Sequence, residues 1–167
     1  MDEYTTRVAS PEDASAVENL LSACYSELMA VAYHQAVLAP VLELITQANM
    51  SLLASGTYYV AEARGGSIIG CGGWTIEMPP GTDDVAASGG HLRHFATHPG
   101  WIRRGVGRSI YRQCEAAARL ANVNMLEVCS SLNGEEFYAA LGFSRIGMIS
   151  VTIGPNSFPS VLMRRTI

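Results

Sequence analysis

The sequence has no apolar run approaching the roughly 18 residues that a membrane-spanning helix requires. Its opening, Met1-Asp2-Glu3-Tyr4-Thr5-Thr6-Arg7, lacks the basic-then-apolar order of an export signal. Together these absences predict a cytoplasmic protein with no membrane partner. Metal-ligand spacing is missing too. Cys24, Cys71, Cys114 and Cys129 form no C-x-x-C pair, so they read as reduced core thiols and no metal site is expected. Charge is scarce, at 16% of residues, and a formal balance of −4 argues against nucleic acid as a partner. It is mildly compatible with a small cationic substrate. There is no internal repeat, low-complexity tract or linker, and 167 residues suit a single domain, 1–167, with a proper core.

The most informative stretch is 92–111. Phe95, Ala96 and Thr97 are strand-compatible, and Pro99-Gly100 punctuates the strand's end. Beyond it, Val106, Ile110, Cys114, Ala117, Ala118 and Ala121 recur at three- and four-residue steps, the spacing of an amphipathic helix. Gly105 and Gly107 therefore fall at a helix N-terminus, where free N–H groups point outward and the helix dipole favours an anion. Arg103, Arg104 and Arg108 add cations around the same point. Composition and position make this a phosphate cradle. A Walker loop would need Lys followed by Ser/Thr where Arg108-Ser109 stands. A dinucleotide fingerprint would need a third glycine where Ile110 stands.

Elsewhere the pattern alternates between strand and helix. Residues 4–9 suit a short edge strand, and Ser10-Pro11-Glu12-Asp13 opens a helix with a capping Ser, Pro in the first turn and acidic side chains behind it. Val17, Leu20, Leu21, Cys24 and Leu28 give that helix one apolar face. Residues 30–54 continue helical, with a break expected near Ala39-Pro40. Val41, Leu42, Leu44 and Ile45 there suit a core or the wall of a substrate groove. Runs 57–63 and 67–78, joined by Arg64-Gly65-Gly66, form a hairpin. Gly70, Gly72 and Gly73 mark a bulge or a close backbone approach within it. A turn-rich loop spans 79–90. After the central strand, loop and helix come a buried strand at 125–130, a short helix at about 133–141, and strands at 143–153 and 160–165. The order predicts an α/β fold with a mixed sheet and one crossover around the glycine loop.

Two motifs give this order a family likeness. Ile102-Arg103-Arg104-Gly105-Val106-Gly107 resembles the acyl-CoA motif Q/R-x-x-G-x-G/A of the GNAT superfamily of N-acetyltransferases, with Ile102 in place of Gln or Arg. Glu136-Phe137-Tyr138-Ala139-Ala140-Leu141-Gly142-Phe143 resembles the family's F-Y-x-x-L-G-F segment. The resemblance runs over nearly the whole chain. It implies a mixed, mostly antiparallel central sheet of about six or seven strands flanked by about four helices. It also implies transfer of an acetyl group from acetyl-CoA directly to an amine, with no covalent enzyme intermediate.

The same resemblance assigns roles. Arg103, Arg104, Gly105, Val106, Gly107, Arg108 and Ser109 would hold the pyrophosphate, and Phe95, Ala96 and Thr97 would pair with the pantetheine arm. Tyr138 would lie near the sulfur and protonate the departing thiolate. His91 falls where several family members carry a catalytic base, with Glu77 as the other contender; a water chain or no dedicated base stays open. His94, three residues on, should point to the opposite face of the strand. Relatives often carry an Asn seven residues before the catalytic Tyr, a place held here by Ser131, with Asn133 two residues later. Cys129, in an apolar strand without an evident base, reads as an inert thiol. The acceptor is open among small amines, amino acids, polyamines, antibiotics and protein N-termini, and exposed edge strands near the C-terminus permit a homodimer. Two rival readings remain: a CoA-binding sensor without turnover, and a nucleotide-binding domain that holds another phosphate ligand.

Overall fold

A computed structural model describes residues 3–82 and 89–167. The chain begins with β1 (Tyr4–Val8), which lies antiparallel on β2 (Tyr58–Ala63) at one edge of the sheet. Ser10 then starts the first helical segment as its sequence predicts. Its backbone N–H donates to Asp13 Oδ2 at 2.9 Å, and Arg7 grips the same carboxylate at 2.8 and 2.9 Å. After that turn, α1 (Ala14–Leu28) buries Val17, Leu20, Leu21, Cys24 and Tyr25 on one stripe.

The expected break at Pro40 does not occur. Residues 30–54 divide instead into α2 (Gln35–Ile45), which runs through Pro40, and α3 (Met50–Leu53). Two side-chain caps set these boundaries: His34 Nδ1 accepts from the Ala36 N–H and Asn49 Oδ1 from the Leu52 N–H. Within α2, Leu38 and Val41 are buried on either side of the proline. That packing outweighs the single hydrogen bond which the missing Pro40 N–H forfeits.

The hairpin of β2 with β3 (Ile68–Thr75) forms through the predicted glycine turn, ending three residues before Met78. Next come β4 (Gly90–Thr97), α4 (Val106–Leu120), β5 (Met125–Ser130), α5 (Glu135–Ala140), β6 (Ser144–Ile153) and β7 (Asn156–Thr166). β7 starts earlier than expected. Pro159 sits where β7 pairs only with β6, since partners on β5 begin at Val161. The sheet order is β1-β2-β3-β4-β5-β7-β6, with β4–β5 its one parallel pair among the described residues. Of the 79–90 loop, Gly81 accepts from the Thr152 N–H at 3.0 Å; residues 83–88 lie outside the described residues.

The two faces of the sheet carry separate cores. Leu21, Tyr25, Val41, Leu53, Val60 and Phe158 pack under α1 and α2. Ile110, Tyr111, Cys114, Leu126, Val161 and Met163 pack under α4 and α5. Each such side chain contributes about 1.5–3 kcal/mol by leaving water. Among the described residues, no helix is long and apolar enough to cross a membrane, and no group of three or more His, Cys, Asp and Glu side chains is placed to hold a metal ion.

Candidate functional site

The site begins where the sheet opens. β4 and β5 pair only through Gly90 with Leu126 and His91 with Glu127. Past His91 they part, and the cause lies within β4. Gly73 pairs with Arg93 and Cys71 with Ala96, so His94 and Phe95 together oppose the single residue Gly72. His94 takes a φ of 49°, in the left-handed region. That extra residue is a bulge, and a bulge bends its strand. On the other side of the pairing, a Cβ at Gly72 would lie 2.6 Å from the Phe95 ring. Only glycine leaves space for that ring to lie across β3.

The opening is a cleft of about 1530 Å³. It exceeds the roughly 300–1,000 Å³ of a site for one drug-sized molecule. Phe95, Ala96 and Thr97 line one wall; Val128, Cys129, Ser130, Ser131 and Asn133 line the other. Lining residues come from both cores: Tyr25, Leu28 and Phe158 from the α1 face, Val106, Tyr138 and Leu141 from the α4 face. The cleft therefore passes through the sheet.

At its α4 end stands the glycine loop. Gly105 caps α4 with a φ of 82°, a conformation only glycine adopts without strain. The first hydrogen bond of the helix runs from the Ser109 N–H to the Gly105 carbonyl at 2.9 Å. The N–H groups of Val106, Gly107 and Arg108 thus have no intrahelical acceptor, and these residues line the cleft with Arg103 and Gly105. Geometry as well as composition suits this helix start to an anion. Two predicted members face elsewhere. Arg104 lies over the Trp101 ring, 5.0 Å from its centroid, and reaches Glu3 at 3.5 Å. Ser109 spends its N–H inside the helix and its hydroxyl on Thr6 Oγ1, 2.9 Å away.

Tyr138 is the buried residue of α5, only 7% exposed, while Phe137 beside it is half-buried. Phe137 and Leu141 pack, partly buried, against the same core. The Tyr138 ring packs edge-on against Phe95, Phe137 and Phe143, yet the residue lines the cleft. Its hydroxyl makes no hydrogen bond with a described residue. Burial raises its pKa, which keeps the proton on the oxygen. Cys129 also lines the cleft, and burial pushes its thiol up to about 11. It is protonated at neutral pH and is no ready nucleophile.

Neither expected base lines the cleft. His91 sits on the closed part of the seam, where it pairs with Glu127, and is 3% exposed. Its Nδ1 lies 3.8 Å from Glu127 Oε2, and Arg164 holds the other carboxylate oxygen at 2.7 and 2.8 Å. Burial lowers the pKa of His91 more than Glu127 raises it, which favours the neutral ring. Glu77 is an exposed residue beyond the end of β3.

Polar residues without an expected role also line the cleft, among them Arg93, His94 and Glu136. The parity rule that sent His94 to the face opposite His91 fails at the bulge. His94 shares a small void with Val17, Leu21, Leu52, Leu53 and Tyr58, on the α1 face. Burial, reinforced by the charge of Arg93, takes its ring down to about 4. The signal for Arg93 was visible in the sequence: a lone cation within a strand otherwise fit for burial.

Comparison with known proteins agrees with this geometry. The family model described as an acetyltransferase (GNAT) domain matches residues 54–145, which hold the bulge, the glycine loop and Tyr138. A GCN5-related N-acetyltransferase from Rhodopseudomonas palustris superposes with a TM-score of 0.81 at 21% identity, over 100% of this chain and 98% of that one. The PaiA N-acetyltransferase of Thermoplasma acidophilum, solved with coenzyme A, gives 0.72 at 14% identity over 100% of both chains. The yncA protein of Salmonella typhimurium, solved with acetyl-CoA as its cofactor, gives 0.60 at 15% identity over 99% and 94%. A search among proteins of curated function finds no match. With the family model covering more than half of the sequence, the chain belongs to the GNAT acetyltransferase family.

Proposed function

We propose that the protein transfers the acetyl group of acetyl-CoA, its acyl-donor substrate, directly to a primary amine. The observation that carries this reading is the through-sheet cleft, with an anion cradle at one mouth and Tyr138 along its course. The free N–H groups of Val106, Gly107 and Arg108, with the side chains of Arg103 and Arg108, suit the pyrophosphate. The parted edge of β4 at Phe95, Ala96 and Thr97 suits main-chain pairing with the pantetheine amides. Ser131 and Asn133 offer polar groups from the facing wall.

The amine nitrogen attacks the thioester carbonyl; a C–N bond forms, the C–S bond breaks, one proton leaves nitrogen and one joins sulfur. Tyr138 donates a hydrogen bond to the developing thiolate. With a pKa above that of a thiol, about 8.5, it stabilises the leaving sulfur more than it acts as a strong acid. An alkylammonium with pKa of about 10 must first lose a proton. With His91 and Glu77 outside the cleft and His94 at about 4, we assign that step to water, with Glu136 the one carboxylate among the described residues that lines the cleft. The test is release of CoA thiol across a panel of amines, followed with a chromogenic disulfide. The chain contains no lysine, so acetylation of its own side-chain amines adds no background. Amine-dependent thiol release supports the reading; acetyl-CoA binding without release from any amine assigns the protein to the sensor class.

A further inference from the structure

Arg93 is 8% exposed and lines the cleft on the α1 face, just past the last β4–β5 pair. Its Nη1 donates to Thr75 Oγ1 at 3.2 Å. Among the described residues no carboxylate oxygen comes within the 4.0 Å of an ion pair, and Glu77 acts on it only through its field. A guanidinium has five N–H donors in a planar fork, so most of this one is unmatched. Holding a cation this deep without a paired anion is costly. The cradle arginines, Arg103 and Arg108, stand at the other mouth of the cleft with the glycine loop. Around Arg93's side of the sheet the lining includes the apolar residues Leu28, Met29, Leu44, Ile45, Ile153 and Phe158, with Gln47, Asn49, Thr152 and Ser160 between them.

A buried fork aimed into a cleft fits a carboxylate, which it can meet with two parallel hydrogen bonds. The apolar walls fit a hydrocarbon or thioether side chain. We infer that the acceptor is an apolar amino acid or a similar acid-bearing amine, its carboxylate held by Arg93 and its side chain by the α1-face walls. The inference rests on the acetyltransferase reading above and narrows its acceptor.

The experiment compares matched acceptors: leucine, methionine and phenylalanine against isoamylamine, 3-methylthiopropylamine and phenethylamine, within a panel of all common amino acids and their decarboxylated amines. Native mass spectrometry first establishes that the wild-type, Arg93→Met and Arg93→Lys proteins hold acetyl-CoA, and circular dichroism that they are folded. The expected kcat/KM favours the amino acids over their decarboxylated partners by about 100-fold or more. In Arg93→Met the ratio falls toward one, and in Arg93→Lys, which keeps the charge without the fork, to an intermediate value. No turnover of any panel member by a protein that binds acetyl-CoA removes the acetyltransferase reading as well, whereas equal rates on acids and amines, or a ratio unchanged in Arg93→Met, overturns the inference alone. So does a preference for succinyl-CoA over acetyl-CoA, which would place the carboxylate on the donor. Failure to bind any acyl-CoA overturns the acetyltransferase reading, and the inference with it.

Discussion

The Phe95 ring lies against the backbone of Gly72, so close that a β-carbon there would sit 2.6 Å from it. The same Phe95 is one of the two β4 residues that oppose Gly72 across the bulge. Gly72→Ala must therefore push the ring toward the cleft or lose the bulge. The expected cost is about 1–3 kcal/mol of stability, the range for overpacking, with weaker acetyl-CoA binding. Urea denaturation and titration calorimetry check both. A variant as stable as wild type, with unaltered affinity, contradicts this account of the opening.

Tyr138→Phe keeps the ring contacts with Phe95, Phe137 and Phe143 and removes a hydroxyl that bonds no described residue. The melting temperature should stay close to wild type. Steady-state kinetics should show kcat lowered by about 10- to 100-fold, with the KM for acetyl-CoA little changed. An unchanged kcat removes Tyr138 from the chemistry.

Acid should destabilise the protein in a window set by histidine. The folded-state pKa values of His91 and His94 lie below the ordinary 6.5, that of His94 at about 4, with burial the first cause in each. Below pH 6.5 the unfolded chain binds protons that the folded chain refuses. The stability is thus fully present above about pH 6.5 and is lost as pH falls toward 4. Asp13, lowered chiefly by its hydrogen bonds from Arg7, adds its own loss only below about pH 4. Urea denaturation at pH 7.5, 6.0 and 4.5 should lose on the order of 2 kcal/mol to His94, and His94→Asn should flatten the slope. An equal slope in the variant contradicts the assignment.

With water taking the amine's proton, kcat/KM should climb about tenfold per pH unit until it meets the pKa of the acceptor amine. A plateau beginning near pH 6.5 would instead reveal an enzyme base and contradict the assignment to water.

Much of this was readable in advance, for reasons local to each segment. The 125–130 strand, α4 and the glycine cap at Gly105 follow from short-range pattern, and each appears where the pattern puts it. The boundaries of α2 were misread because Pro40 is a loud signal, whereas the caps His34 and Asn49 are quiet ones. In the site, the free N–H groups at the start of α4 were legible because backbone geometry at a helix N-terminus depends on nearby residues alone. The face of His94 was not, because a bulge is a relation between two strands, fixed here by Gly72 and Phe95. His91 was misplaced for a related reason. Its position along β4 was right, but whether β4 is still paired with β5 at that point depends on Glu127, 36 residues further along the sequence (127 − 91).

The central claim is that the cleft binds an acyl-CoA through the N-terminus of α4. Native mass spectrometry with added acetyl-CoA, on the wild type and on Gly105→Glu, tests it most directly. The substitution places a carboxylate beside the free N–H groups and a side chain at a φ of 82°. The account predicts a mass shift of one acetyl-CoA at micromolar concentration on the wild type, and none on a folded Gly105→Glu. A wild type that takes up no CoA species while another nucleotide binds, or a Gly105→Glu protein that binds acetyl-CoA as tightly, contradicts it.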